Sequence, residues 1–201
     1  AAEVEVEKAS CLEALAPAVA GVGYVDAAVG VHAHSQGDME LSVAITLGAV
    51  TENERCRDIL AACQELLIPG AIRSLADRPV KRPLPVMHNG AVLNDPHHPY
   101  YGVYAGDEDT QRKPAYHNGT AWAWPMPSFC EAWVITYGSM ASATAGSWLG
   151  GSVQLLLEGC LGQIPEILDG DAPHRQRGCD AQAWSVSELL RVWLMLQKQT
   201  V

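Results

Sequence analysis

The sequence predicts an all-α domain, and three features lead there. Apolar residues recur at helical spacing in several stretches, helix start and stop signals frame those stretches, and strand signals are sparse. The most regular stretch is 51–68. Thr51-Glu52-Asn53-Glu54 fits a capping box, in which hydroxyl and carboxylate each accept from an orphan backbone N–H of the first turn. Ile59, Leu60, Cys63, Leu66 and Leu67 follow at helical spacing, and Pro69-Gly70 ends the run. A second helix is expected over 128–137 after two prolines, and a third over 141–158 with Gly159 as its stop. The last runs from Asp180 as N-cap to Gln197 and is expected to bury Trp184, Leu189, Val192, Trp193 and Leu196. Weaker helical patterns lie at 38–50 and within 3–20. Val4 and Val6 alternate with glutamates, but nothing downstream pairs with them convincingly.

At 201 residues the chain can bury one sizeable core, so a single domain is expected. Thirteen basic against 23 acidic side chains give a net charge of −10, which repels phosphate backbones and anionic lipid. Nucleic-acid and membrane partners are therefore disfavoured, whereas a neutral glucan is indifferent to that charge. No stretch of about 20 residues escapes charge and Pro/Gly punctuation, as a membrane span requires. The N-terminus, Ala1-Ala2-Glu3-Val4-Glu5-Val6-Glu7, is acidic where a secretory leader is basic, and it has no initiator Met. The chain is read as processed, trimmed or a piece of something longer. Cysteines at 11, 56, 63, 130, 160 and 179 form no Cys-x-x-Cys pair and no zinc-like spacing. Structural thiols in a reducing cytoplasm are expected.

Two long irregular stretches, 69–127 and 160–180, separate the helices. The first holds nine of the chain's twelve prolines and four of its seven histidines. Loops of that length in a compact domain are usually functional or disordered, and clustered Trp and Tyr argue against disorder. In the second stretch Pro165 pushes Ile164 away from helical angles, so a shaped turn presents Glu166 among Ile164, Ile167 and Leu168. A carboxylate among apolar groups, with Arg175 and Arg177 near in sequence, is a candidate acid/base group. The alternative is that Glu166, Asp169 and Asp171 only pair with those arginines. A calcium site on Asp169-Gly170-Asp171 is disfavoured, because the twelve-residue loop pattern with its terminal Glu is absent. No metal or cofactor is expected. The first stretch ends in Tyr116-His117-Asn118-Gly119-Thr120-Ala121-Trp122-Ala123-Trp124. Sugars present apolar C–H faces ringed by hydroxyls, and this segment supplies aromatic platforms beside amide and imidazole partners. The same residues could equally be core anchors and a capping histidine.

Tyr116-His117-Asn118-Gly119-Thr120-x-Trp122, followed by Gly162-Gln163-Ile164-Pro165-Glu166-Ile167-Leu168-Asp169-Gly170-Asp171-x-Pro173-His174-x-x-Arg177-Gly178-Cys179-x-Ala181-Gln182-Ala183-Trp184-Ser185-Val186, resembles the amylo-α-1,6-glucosidase domain of glycogen debranching enzymes, in particular the microbial members. The similarity is specific over 74–196, includes Leu93-Asn94-Asp95-Pro96 and Gly106-Asp107-Glu108-Asp109-Thr110, follows only in outline over 37–70, and leaves 1–36 unplaced. The resemblance implies an (α/α)6 barrel and hydrolysis of α-1,6-linked glucose with inversion. Inverting enzymes use two carboxyl groups about 6.5–9.5 Å apart. It assigns the general base to Glu166 and the general acid to an Asp upstream of this chain. It implies sugar contacts from Tyr116, His117, Asn118, Trp122, Trp124, Gln163, Asp169, Arg177, Gln182 and Trp184. The family usually carries Arg-Pro-Asn entering the helix near 38–48, where this chain reads Gly37-Asp38-Met39-Glu40-Leu41-Ser42.

Twelve barrel helices of ~10–14 residues plus loops need roughly twice this length, so the chain is expected to hold about half of the barrel. Residues 1–201 are accordingly read as one C-terminal glucosidase-domain fragment. Its open side, near the N-terminal helices, is expected to meet the missing half or a second copy. Three functions fit: the base-carrying half of a glucosidase acting on glycogen or limit dextrin, a non-catalytic glucan-binding module, or an interaction fragment without ligand.

Overall fold

The computed structural model describes residues 37–199, so the pattern within 3–20, Cys11 and the whole of 1–36 lie outside the described residues. The described residues form six α-helices: α1 (Gly37–Thr46), α2 (Asn53–Gln64), the single turn α3 (Lys113–Tyr116), α4 (Pro125–Tyr137), α5 (Ser142–Leu155) and α6 (Ala183–Gln199). Helix α4 is the hub. Pro125 opens it where a missing N–H costs nothing. Met126, Phe129, Cys130, Ala132 and Val134 bury its surface on several sides, and α1, α2, α5 and α6 all pack against it. Burying a residue such as Phe129 contributes about 1.5–3 kcal/mol, so much of the stability is gathered around this helix.

The expectation of an all-α chain, and with it half of an (α/α)6 toroid, is overturned by a five-stranded antiparallel sheet. Its strands are β1 (Leu67–Ile68), β2 (Ala71–Arg73), β5 (Ala121–Trp122), β6 (Ile167–Leu168) and β7 (Gln176–Arg177), adjacent in that order. A separate hairpin joins β3 (Met87–His88) to β4 (Ala91–Val92). The fold is mixed α/β. Strands of two or three residues are too short to show an alternating pattern, so by pattern alone they look irregular. In register, Ile72 faces Trp122 and Trp122 faces Ile167, so segments almost a hundred residues apart meet side by side. Those three residues are buried, and β2 also touches α4.

The helix ends differ in detail from the expectations. Helix α2 begins at Asn53 after Glu52, which makes no side-chain cap bond, so the capping box does not form. Leu67 and Ile68, expected as its last turn, leave the helix to form β1. Leu189, Val192 and Leu196 of α6 are buried as expected, but Trp184 is 49% exposed and Trp193 38% exposed. Both follow the helical spacing, and the described elements cover them only in part. Helix α5 lies close against the β1–β2 turn. A Cβ on Gly151 would stand 2.7 Å from the Gly70 amide nitrogen, and one on Gly70 2.8 Å from the Gly151 carbonyl oxygen. Two glycines are what let the sheet approach the helix so closely.

Candidate active site

The pairing of β5 with β6 places the two sequence motifs beside each other. Tyr116 closes α3, and the turn after it is tied back by Asn118 and Thr120 N–H groups, both donating to the Ala115 carbonyl. Ser74 fastens the same turn from the β2 side. Its hydroxyl donates to Thr120 O at 2.9 Å and accepts from Gly119 N–H at 3.0 Å. Tyr116, His117 and Trp122 thus gather into one aromatic cluster. The Tyr116 ring stands edge-on to His117 (4.7 Å between centroids) and to Trp122 (4.9 Å), while His117 and Trp122 stack at 5.6 Å with planes 2° apart.

Glu166 enters this cluster from the residue before β6. The Tyr116 hydroxyl donates to its Oε1, and the Cys179 backbone N–H donates to its Oε2 at 3.0 Å. The Glu166 N–H in turn donates to the Cys179 carbonyl at 2.9 Å. Ile167 pairs with Arg177, yet Glu166 pairs with Cys179, so Gly178 is an extra residue in the strand, a β-bulge. Its φ of +70° is one that L side chains rarely adopt. The bulge turns the Cys179 N–H toward the carboxylate, and a Cβ on Gly178 would stand 2.6 Å from Glu166 Oε2. Gly178→Ala is therefore expected to move the carboxylate, whose end is flexible, rather than the backbone. The left-handed angle costs Ala about 1–2 kcal/mol. The rate of any reaction through Glu166 should fall up to about 10²-fold, as reactive groups shifted by an ångström do. Glucose-release kinetics beside thermal unfolding checks both numbers.

The arginines do not hold Glu166. Arg177 clasps Asp169 instead, with Nε 3.1 Å from each carboxylate oxygen and Nη2 3.0 Å from Oδ2. Asp169 is 4% exposed and also accepts the Tyr104 N–H at 2.8 Å, which ties the segment carrying Tyr104 to the β6–β7 hairpin. Tyr104 then packs on Tyr116 at 5.6 Å. Asp171 accepts from the Tyr100 hydroxyl at 2.8 Å. Burial, followed by the hydrogen bond and charge of Glu166, raises the Tyr116 phenol above its ordinary range, so it stays a donor. Burial lowers the His117 imidazole and favours its neutral form. Its Nδ1 and the Trp122 indole N–H are buried without a hydrogen-bond partner.

The other residues singled out from sequence are placed differently. Trp124 and Trp184 stack on each other at 5.3 Å, with Trp184 half exposed at the start of α6. Asn118 is buried and its amide donates to the Pro114 carbonyl at 2.9 Å, so it shapes the turn. Gln163 is half-buried after the turn closed on Cys160 O, and the Gln182 N–H donates to Ile164 O, bracketing the segment that leads into Glu166. The roles of Gly178 and Cys179 escape sequence reasoning, because a backbone donor has no side-chain signature; the glycine after Arg177 is the available hint. Among the described residues no group of three His, Cys, Asp or Glu could hold a metal ion, and no helix is long and apolar enough to cross a membrane. Cys56, Cys63 and Cys130 are buried free thiols, and Cys160 and Cys179 exposed ones.

The family model described as amylo-alpha-1,6-glucosidase matches residues 87–191, just over half of the chain. That span includes both motifs and every residue of the Glu166 cluster. No curated protein matches the chain. The chain belongs to the amylo-α-1,6-glucosidase family, whose members are glycoside hydrolases related to glycogen debranching.

Proposed function

We propose, from membership of the amylo-α-1,6-glucosidase family, that this chain is the C-terminal fragment of a debranching glucosidase and carries its general base, Glu166. The reaction is hydrolysis of an α-1,6-linked glucose stub on a branched α-glucan, with inversion. Glu166 takes a proton from water as the water oxygen attacks the anomeric carbon. A second carboxyl group, which the resemblance assigns to a segment upstream of this chain, protonates the departing glycosidic oxygen. The observation that carries the reading is how Glu166 is held. One neutral phenol and one backbone N–H fix its two oxygens, while the neighbouring arginine is occupied by Asp169. A carboxylate has about four lone-pair sites, so two remain to accept from water. The half-exposed Trp184 supplies an apolar face of the kind sugars bind, and the part-buried His117 a polar edge.

The free thiols fit a reducing cytoplasm, and association with a further segment or chain supplies the acid. The exposed Leu190, Trp193 and Leu194 of α6 offer apolar surface for such contact. The test is linkage selectivity. With the acid-bearing segment present, a limit dextrin bearing single α-1,6-glucosyl stubs should release glucose, and linear maltodextrin should not. Binding of the dextrin without release would instead assign a glucan-binding module.

A further inference from the structure

We infer that Tyr116 is a positioning residue for Glu166, acting on the reaction through the carboxylate rather than by gripping sugar. The inference rests on the general-base reading of Glu166 and deepens it. Resemblance alone implies a sugar contact for Tyr116, but its hydroxyl is given to Glu166 Oε1. The ring cannot easily serve another purpose. Tyr104, His117 and Trp122 crowd it at 5.6, 4.7 and 4.9 Å, and its carbonyl accepts the Thr120 hydroxyl. A side chain so enclosed has one orientation, and it passes that orientation on to the carboxylate. The Cys179 N–H fixes Oε2 from the opposite strand. Two donors from two segments, one on each oxygen, set the plane of the carboxylate in a way that neither sets alone.

Glucose release from a stub-bearing limit dextrin by the complete enzyme, with its acid-bearing segment, as wild type, Tyr116→Phe, Glu166→Gln and the double variant tests this. Tyr116→Phe keeps the ring and its packing and removes only the donor. Its kcat should fall about 10–100-fold, the worth of a hydrogen bond to a charged group, with KM changed less than about twofold. In the Glu166→Gln background the same change should do nothing further to the rate, since the base that Tyr116 positions is gone. Proton NMR in water gives a readout that needs no turnover. A slowly exchanging phenol proton should be present in wild type, absent in Tyr116→Phe and shifted in Glu166→Gln. A raised KM at unchanged kcat would overturn the inference in favour of a sugar contact. So would a Tyr116→Phe loss that persists undiminished in the Glu166→Gln background, or a phenol proton indifferent to Glu166→Gln. Wild-type turnover by Glu166→Gln would remove the base reading itself, whereas an inactive Glu166→Gln with an additive Tyr116→Phe removes the positioning role alone.

Discussion

In the complete enzyme Glu166→Gln should slow glucose release by about 10²–10⁴-fold, the range that proton transfer to a positioned base contributes, and leave the fold intact. The stability half of that expectation follows from the local bonding. Gln keeps the size of Glu, and its amide oxygen can accept the Cys179 N–H that Oε2 accepts now. Its NH2 group can then donate to the Tyr116 oxygen, because a phenol accepts as well as donates. Both contacts survive with one reversed, and no buried charge is left unpaired, since neither arginine of the loop pairs with Glu166. What Gln cannot do is take water's proton. Binding of the dextrin should change little. If Glu166 served only to hold the loop, the substitution would lower the unfolding temperature and leave turnover per folded molecule near normal. Thermal unfolding and initial rates on one preparation separate the two patterns.

Asp169→Ala should have the largest effect on stability. It strands the Arg177 guanidinium and the Tyr104 N–H at once, in a place where Asp169 is almost fully buried. Breaking a buried ion pair by removing one partner costs about 3–5 kcal/mol. The Arg177 side chain keeps 29% exposure and can recover some hydration, so the lower part of that range is expected. Asp169→Asn keeps an acceptor for Tyr104 and should lose less. Urea unfolding of the three proteins gives the order directly. Equal stability of Asp169→Ala and wild type would mean that the Arg177 clasp is not formed in solution.

Part of this organisation is legible in the sequence, and the divide is physical. Helices α4, α5 and α6 advertise themselves through apolar spacing sustained over thirteen or more residues and through Pro125, Gly138 and Gly159 at or near their ends. The sheet has no such signal. Its strands hold two or three residues, and what makes them strands is pairing across the chain, as with Ile72, Trp122 and Ile167. Trp193 shows the converse limit: correct helical spacing, and only partial cover from the described residues. At the site, Pro165 and the two motifs point to Glu166 and to Tyr116–Trp122, because special backbone and clustered aromatics are written in residue types. The division of labour is not legible. The resemblance implies sugar contacts from Asp169 and Arg177, and in the fold they hold each other. It implies the same of Asn118, which closes a turn. The Gly178 bulge that presents the Cys179 N–H is a matter of register, at which a lone glycine after Arg177 only hints.

The central claim, that Glu166 activates water for a single displacement at the anomeric carbon, is tested most directly by the configuration of the first glucose released. Time-resolved proton NMR during hydrolysis of the stub-bearing dextrin follows the two anomeric signals before they interconvert. A single displacement on an α-1,6 linkage predicts β-glucose first, with the α signal growing only as mutarotation proceeds. α-Glucose first would mean a double displacement with a covalent intermediate, and would contradict a general-base role for Glu166.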